Sequence, residues 1–328
     1  MSGIEVACNG LLALSHRYAG RSTFRVELSR TYTEVTAACW VVNDANIPYF
    51  PRSFVMTAGG QRPVRVRSRH VEWVRDRLGE RDREILATVG RLRLITSAQL
   101  ERLYFFDLPS SHRSRTRRRV LARLVDWRVL MTLERRVGGV RAGSAGLVYA
   151  LDSAGQWLAN LDSRAVGDEL AVRRPTQPSV ALLAHTLGVT ELYVQLRELE
   201  CAGVLRLVAF LTEPGSWCAN GIGGWLKPDA YAVVATDKVT DHWWVELDMA
   251  TESLPTIRKK LTAYLDFVRR GQRGPSGVIP RVLVAVPTEA RREAIQALIG
   301  QLPEPASELL RVSTHERAAA FIGEVLRE

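Results

Sequence analysis

The chain has 328 residues with a formal net charge of +10, 46% hydrophobic and 24% charged residues, a composition that excludes a disordered chain and a length that suits two domains. The longest charge-free stretch near the N-terminus, Val35 to Asn43, is far short of the roughly 20 residues needed to cross a bilayer. The four cysteines form no CxxC pair and the six histidines no HExxH or Cys/His ladder, so a disulfide framework or zinc site has no support and a reduced, cytoplasmic protein is expected.

The charge is concentrated. Residues 1–61 carry five Arg against four acids and residues 62–141 carry 21 Arg against nine, while residues 142–328 have 19 basic and 22 acidic residues. The whole excess therefore lies in one block of the chain, which favours a polyanionic partner. Only four of the 45 basic residues are lysines; that skew reads as codon usage, and the clustering is the informative part.

Residues 1–61 show no sustained period and read as a poorly structured extension, either an upstream segment before a start at Met56 or an accessory segment. From Glu80 the pattern sharpens. Ile85, Leu86, Val89 and Leu92 share one helical face; Thr96 or Ser97 caps a short helix with Leu100 and Leu103; Ser110 or Ser111 opens a third helix running to about Arg128. Val129–Arg136 and Leu147–Leu151 read as strands around a loop with Gly138, Gly139, Gly143 and Gly146. Three helices followed by a hairpin is a winged helix-turn-helix order, assigned to residues 78–162 with a final helix at 153–161.

The third helix is rich in arginine. At about 100° per residue, Val120, Leu121, Leu124 and Trp127 fall on one face and Arg115, Arg118 and Arg119 on the other. Such a helix suits the major groove of double-stranded DNA. Arg113 and Arg123 on the same helix, and Arg135, Arg136 and Arg141 at the hairpin, complete the expected DNA-binding set. The alternative is a solvated surface helix.

A Pro-marked linker at 163–179 precedes residues 180–328. These read as helix 180–201, strand 204–212, a Gly-rich insertion 215–224, strands 229–236 and 242–249, helix 254–270, strand 281–286, helix 288–300, strand 309–314 and helix 315–327. The insertion is either a cover over the neighbouring acids or a plain insertion. Neither GxGxxG after a strand nor GxxxxGK[ST] occurs, which argues against dinucleotide or nucleotide binding.

Asp229 opens one strand, and Glu246 and Asp248 share a side of the next. Carboxylates so placed suit Mg²⁺ or Mn²⁺, with Glu191 on the preceding helix as an outer ligand; the alternative is a strand-end turn with a surface salt bridge. His185 lies on the stripe of Val189, Leu192 and Leu196 and reads as a buried, hydrogen-bonded core histidine. Trp243 and Trp244 are expected to pack on opposite faces of one strand.

Lys227-Pro228-Asp229-Ala230 followed by Glu246-Leu247-Asp248 resembles the PD-(D/E)xK nuclease superfamily, but Asp248 stands where that motif has lysine. Lys260, roughly 90° from the centre of the apolar stripe of helix 254–270, can lean toward the sheet, whereas Lys259 points to solvent. Taken with Ala184-His185, Thr251-Glu252, Lys260 and Tyr264, residues 78–320 resemble the replication-relaxation family of plasmids and conjugative elements.

The resemblance implies an α/β (α+β) fold, an N-terminal winged helix-turn-helix domain followed by a restriction-endonuclease-like αβββαβ domain. It also implies a DNA-binding accessory protein in replication, relaxation or mobilisation, with a relaxase or replication initiator and a second copy of the chain as further partners. Its rivals are a metal-dependent endonuclease or nickase, with Asp229, Glu246, Asp248 and Lys260 as catalytic residues, and a winged-helix transcriptional regulator.

Overall fold

Residues 66–136, 146–165 and 178–327 are described by a computed structural model. The extension 1–61, the hairpin loop with Arg141 and most of the expected linker lie outside them. The described residues form a mixed α/β structure with ten α-helices and three sheets.

The first helix, α1 (Ser68–Arg75), lies ahead of the first one expected from sequence. Its polar, arginine-rich composition hides a stripe of only two buried residues, Val71 and Val74. Helix α2 (Glu80–Leu92) buries Ile85, Leu86, Val89 and Leu92, and Glu80 and Asp82 sit in its first turn, where carboxylates oppose the positive end of the helix dipole. Strand β1 (Ile95–Thr96) leads into α3 (Ser97–Tyr104) through a capping box in which Thr96 and Gln99 each accept the other's backbone N–H.

Helix α4 (Ser110–Asp126) follows Pro109 and buries Arg117, Leu121 and Leu124. It ends at Trp127, after which Arg128 takes a φ of 61°. Strands β2 (Leu130–Arg136) and β3 (Leu147–Leu151) pair antiparallel, and β1 adds to the far side of β3 with Ile95 opposite Tyr149. Helix α5 (Ser153–Ala165) returns close to the end of α4: a Cβ on Gly155 would stand 2.1 Å from the Val129 carbonyl oxygen.

The second half begins with α6 (Val180–Cys201), capped by Ser179. It continues through β4 (Arg206–Thr212), the short pair β5 (Cys218–Ala219) and β6 (Trp225–Leu226), β7 (Ala230–Ala235), β8 (Thr240–Leu247), α7 (Leu254–Arg269), β9 (Arg281–Val286), α8 (Glu289–Ile299), α9 (Ala306–Leu309), β10 (Leu310–Thr314) and α10 (Ala318–Val325). The Gly-rich insertion thus carries a small hairpin of its own. The main sheet has the order β10-β9-β8-β7-β4, antiparallel from β4 to β8 and parallel from β8 to β10.

Helices α6 and α10 pack with one face of this sheet, against Trp243, Val245 and Leu283, and α7 and α8 with the other, against Trp244, Val282 and Val284. Trp243 and Trp244 are both fully buried, on opposite faces. The first apolar cluster also takes in Ile85, Leu121 and Leu124, so one buried layer runs from the N-terminal helices into the main sheet.

Polar contacts reinforce that junction. Arg102 on α3 pairs with Glu191 and Glu198 on α6 at 2.5 and 2.6 Å, while Thr190 and Thr212 donate to the carbonyls of Leu94 and Arg91, each at 2.8 Å.

Candidate functional site

Two features stand out, an acidic pair at one end of the main sheet and a basic face on α4. Ala230 pairs with Val245 in the antiparallel ladder, so the next step back sets Asp229 opposite Glu246. Asp229 Oδ2 accepts the Leu247 N–H at 2.7 Å and lies 3.1 Å from His185 Nε2.

His185 therefore differs from the core residue expected from the helical stripe. Its side chain is 27% exposed and turned to a carboxylate at the sheet end. Gly188, one turn on, faces Leu247; a Cβ there would come within 2.4 Å of Leu247 Cδ2. The missing side chain lets α6 lie close to β8 and carries His185 to Asp229. The hydrogen bond to Asp229 raises the proton affinity of His185, against the opposing effect of burial.

Glu246 is almost wholly buried, with Oε1 accepting the Tyr264 hydroxyl and Oε2 at 3.6 Å from Lys260 Nζ. Burial, and then the charge on Asp229, push its carboxyl up to about 8, with Lys260 and Tyr264 opposing. Tyr264 is likewise raised, by burial and then by Glu246. Burial lowers Lys260, but Glu246 and Glu252 outweigh it and leave its pKa raised; the nearer acid is Glu252, 2.9 Å from Nζ. Glu246, Asp248, Glu252, Ile257 and Lys260 line a cleft with a cavity of ≈ 10 Å³, about the room of one water.

The other two expected ligands are engaged elsewhere. Asp248 shares the sheet face of Glu246, yet its Oδ2 pairs with Arg291 of α8 at 2.6 Å and its Oδ1 accepts the Ala250 N–H at 2.9 Å. Glu191 is held by Arg102 and by Gln99, the latter at 2.9 Å. Among the described residues no group of three or more His, Cys, Asp or Glu side chains is arranged to hold a metal ion. Of the three carboxylates expected to converge, Glu246 lies across the ladder from Asp229 and lines the cleft with Asp248, whose carboxylate is held by Arg291.

His185, Tyr264 and Glu252, quoted in the sequence for the family resemblance but not as site residues, join this site. The spacing of Lys260 and Tyr264 at i, i+4 on α7 is a signal for Tyr264. No local signal links His185 to Asp229, 44 positions later in the chain.

On α4 the arginines divide by partner. Arg117 is buried and pairs with Glu101 at 2.5 Å. Arg123 reaches both oxygens of Asp82, at 2.6 and 2.7 Å, and lies over the Trp127 ring. Arg113 donates to the carbonyls of Phe106 and Leu108.

Arg115, Arg118 and Arg119 are exposed, and among the described residues none of the three has an ion pair. Arg118 donates only to the Ser114 carbonyl of its own helix. Arg135 and Arg136 lie on β2.

A family model described as Replication-relaxation matches residues 86–282, more than half of the chain. No curated protein and no solved structure matches it.

Proposed function

The chain belongs to the replication-relaxation family, and from that premise we propose that it is a DNA-binding accessory protein in the replication, relaxation or mobilisation of a plasmid or integrative conjugative element. The observation that carries this reading is the sorting of arginines on α4. Those facing the protein are matched by carboxylates or carbonyls, and Arg115, Arg118 and Arg119 are left as an unneutralised outward face. The element order supports it: α2, β1, α3, α4 and the β2/β3 hairpin, with β1 closing the sheet beside β3, follow the winged-helix plan in which the third helix enters the major groove.

Double-stranded DNA is the proposed ligand, with a relaxase or initiator, or a second copy of the chain, as protein partner. Binding of a duplex oligonucleotide at fixed salt should weaken at least tenfold when Arg115, Arg118 and Arg119 are replaced by Ala, and stay unchanged in Asp229→Asn. Equal affinity for the triple variant and the parent would remove α4 from the interface.

A second reading, a divalent-cation-dependent nuclease, is favoured by one observation. Asp229 and Glu246 face each other at the end of a sheet ordered β4-β7-β8-β9, beside a lysine, as in the nuclease-like fold. The chemistry of the donors suits Mg²⁺ or Mn²⁺: both are hard carboxylate ligands, and Glu246, whose pKa is raised by burial and by Asp229, lines a cavity the size of a water. Asp229 and Glu246 would hold the ion, which when bound would polarise a phosphodiester and activate water.

Lys260 supplies a fixed positive charge next to Glu246, and Tyr264 orients the Glu246 carboxylate. Nicking of supercoiled plasmid that requires Mg²⁺ and is lost in both Asp229→Asn and Glu246→Gln supports this reading; nicking that survives both changes excludes the site.

A further inference from the structure

Helix α4 is tied to the protein at two points along its length. In its first half, one oxygen of Glu101, on α3, receives the buried Arg117 at 2.5 Å and the Ser114 hydroxyl at 3.3 Å. Further on, about 9 Å along the axis, Nη2 of Arg123 lies 2.6 and 2.7 Å from the two oxygens of Asp82, on α2. That carboxylate is buried and also accepts the Gly79 N–H at 3.1 Å. Arg123 lies over the Trp127 ring, 5.0 Å from its centroid. At about 100° per residue, Arg117 projects roughly 150° and Arg123 roughly 90° from the centre of Arg115, Arg118 and Arg119.

Two ties from different helices, on different sides, fix both the slide and the rotation of α4. Side-chain ends stand about 5–6 Å from a helix axis, so a rotation of about 30° moves them by about 3 Å, the length of a hydrogen bond. We propose that Asp82 and Arg123, with Glu101 and Arg117 behind them, are positioning residues that set the rotation of α4 and so aim Arg115, Arg118 and Arg119 at the phosphates of a duplex. The inference rests on the DNA-binding reading above and deepens it. It takes Arg123 out of the contact set expected from the sequence, and it gives an acid, Asp82, a share in binding a polyanion that its own charge repels.

That opposition of charge and position is the basis of the test, which reads duplex affinity and its salt slope in full-chain variants shown by circular dichroism to be folded. Asp82→Asn removes a negative charge and Arg123→Gln a positive one, so charge alone makes the first bind DNA more tightly and the second more weakly. Loss of position makes both weaker. Each should weaken binding about fivefold and make the salt slope shallower. The double variant Asp82→Asn/Arg123→Gln has the net charge of the parent and should bind as weakly as either single one, because the tie is lost only once. It carries the test if Asp82→Asn alone fails to fold.

Tighter binding by Asp82→Asn, or affinity equal to the parent's in the double variant, would overturn the positioning role while leaving α4 as the interface. The triple alanine variant at Arg115, Arg118 and Arg119, measured alongside, separates the two readings: a parent that binds no duplex, or whose affinity the triple change leaves intact, would overturn the DNA-binding face and this inference with it.

Discussion

At Glu246 burial and the negative charge of Asp229 act in the same direction, and both favour the protonated acid. A group whose folded pKa lies above its unfolded value stabilises the fold fully below the unfolded value, and that contribution is lost as pH rises toward the folded one. For Glu246 the window runs from 4.5 to about 8. Glu246→Gln should therefore be close to neutral at pH 4.5 and stabilise the chain by on the order of 1–3 kcal/mol at pH 8. Urea denaturation at the two pH values checks this, and an equal effect at both would contradict the assigned cause.

Arg291 presents the opposite case, since it neutralises a buried Asp248. Arg291→Ala should cost about 3–5 kcal/mol by leaving that carboxylate unpaired, a loss visible as a lower denaturation midpoint. The acids of this site were legible in the sequence because strand alternation places Glu246 and Asp248 on one side. Their partners were not, because Arg291 and His185 arrive from distant helices. His185 does lie on the inward stripe of its helix, but the stripe there meets the end of the sheet, where a carboxylate stands in place of an apolar neighbour.

Elements with a sustained apolar period were legible to within two residues: α2, α4, α7 and the strands β7 to β9 fall close to where periodicity puts them. Short elements stabilised by tertiary contacts were not. Helix α1 has two inward residues, and it is held by Trp73 against Trp127 and by His70, whose Nε2 lies 3.0 Å from the Trp127 carbonyl. Neither contact has a local sequence signature. The hairpin β5/β6 lay hidden in the Gly-rich insertion for another reason: its strands are two residues each, too short to show a period, around a local turn in which the Asn220 side chain accepts the Ile222 and Gly224 N–H groups.

Close packing between elements gives a further prediction. At Gly155 the space for a Cβ is filled by the backbone of Val129, which cannot swing aside as a side chain could. Gly155→Ala should destabilise the fold by about 1–3 kcal/mol despite the better helix propensity of alanine. A thermal midpoint unchanged or raised would show that α5 can move away from Val129.

Across the whole molecule, charge and packing divide the labour. The arginine-rich block reads in the sequence as one basic mass, but in the structure part of it is internal: Arg117, Arg123 and Arg102 hold helices together through Glu101, Asp82, Glu191 and Glu198. Composition reports the total and cannot make this division. What α4 leaves exposed is a smaller, outward set on a body joined to the main sheet by a common apolar layer and by Arg102.

Arg102→Ala should loosen that junction, giving faster amide exchange in α3 and the middle of α6 while the protection of β8 and β9 is kept; uniform loss of protection throughout the chain would mean that the halves unfold only together. The claim that α4 is the DNA-binding face is tested most directly by the salt dependence of duplex affinity. Each phosphate contact contributes about 0.9 to the slope of log affinity against log salt. A steep slope is expected for the parent chain, shallower by roughly 2–3 when Arg115, Arg118 and Arg119 are all alanine; the same slope in both proteins would move the DNA away from α4.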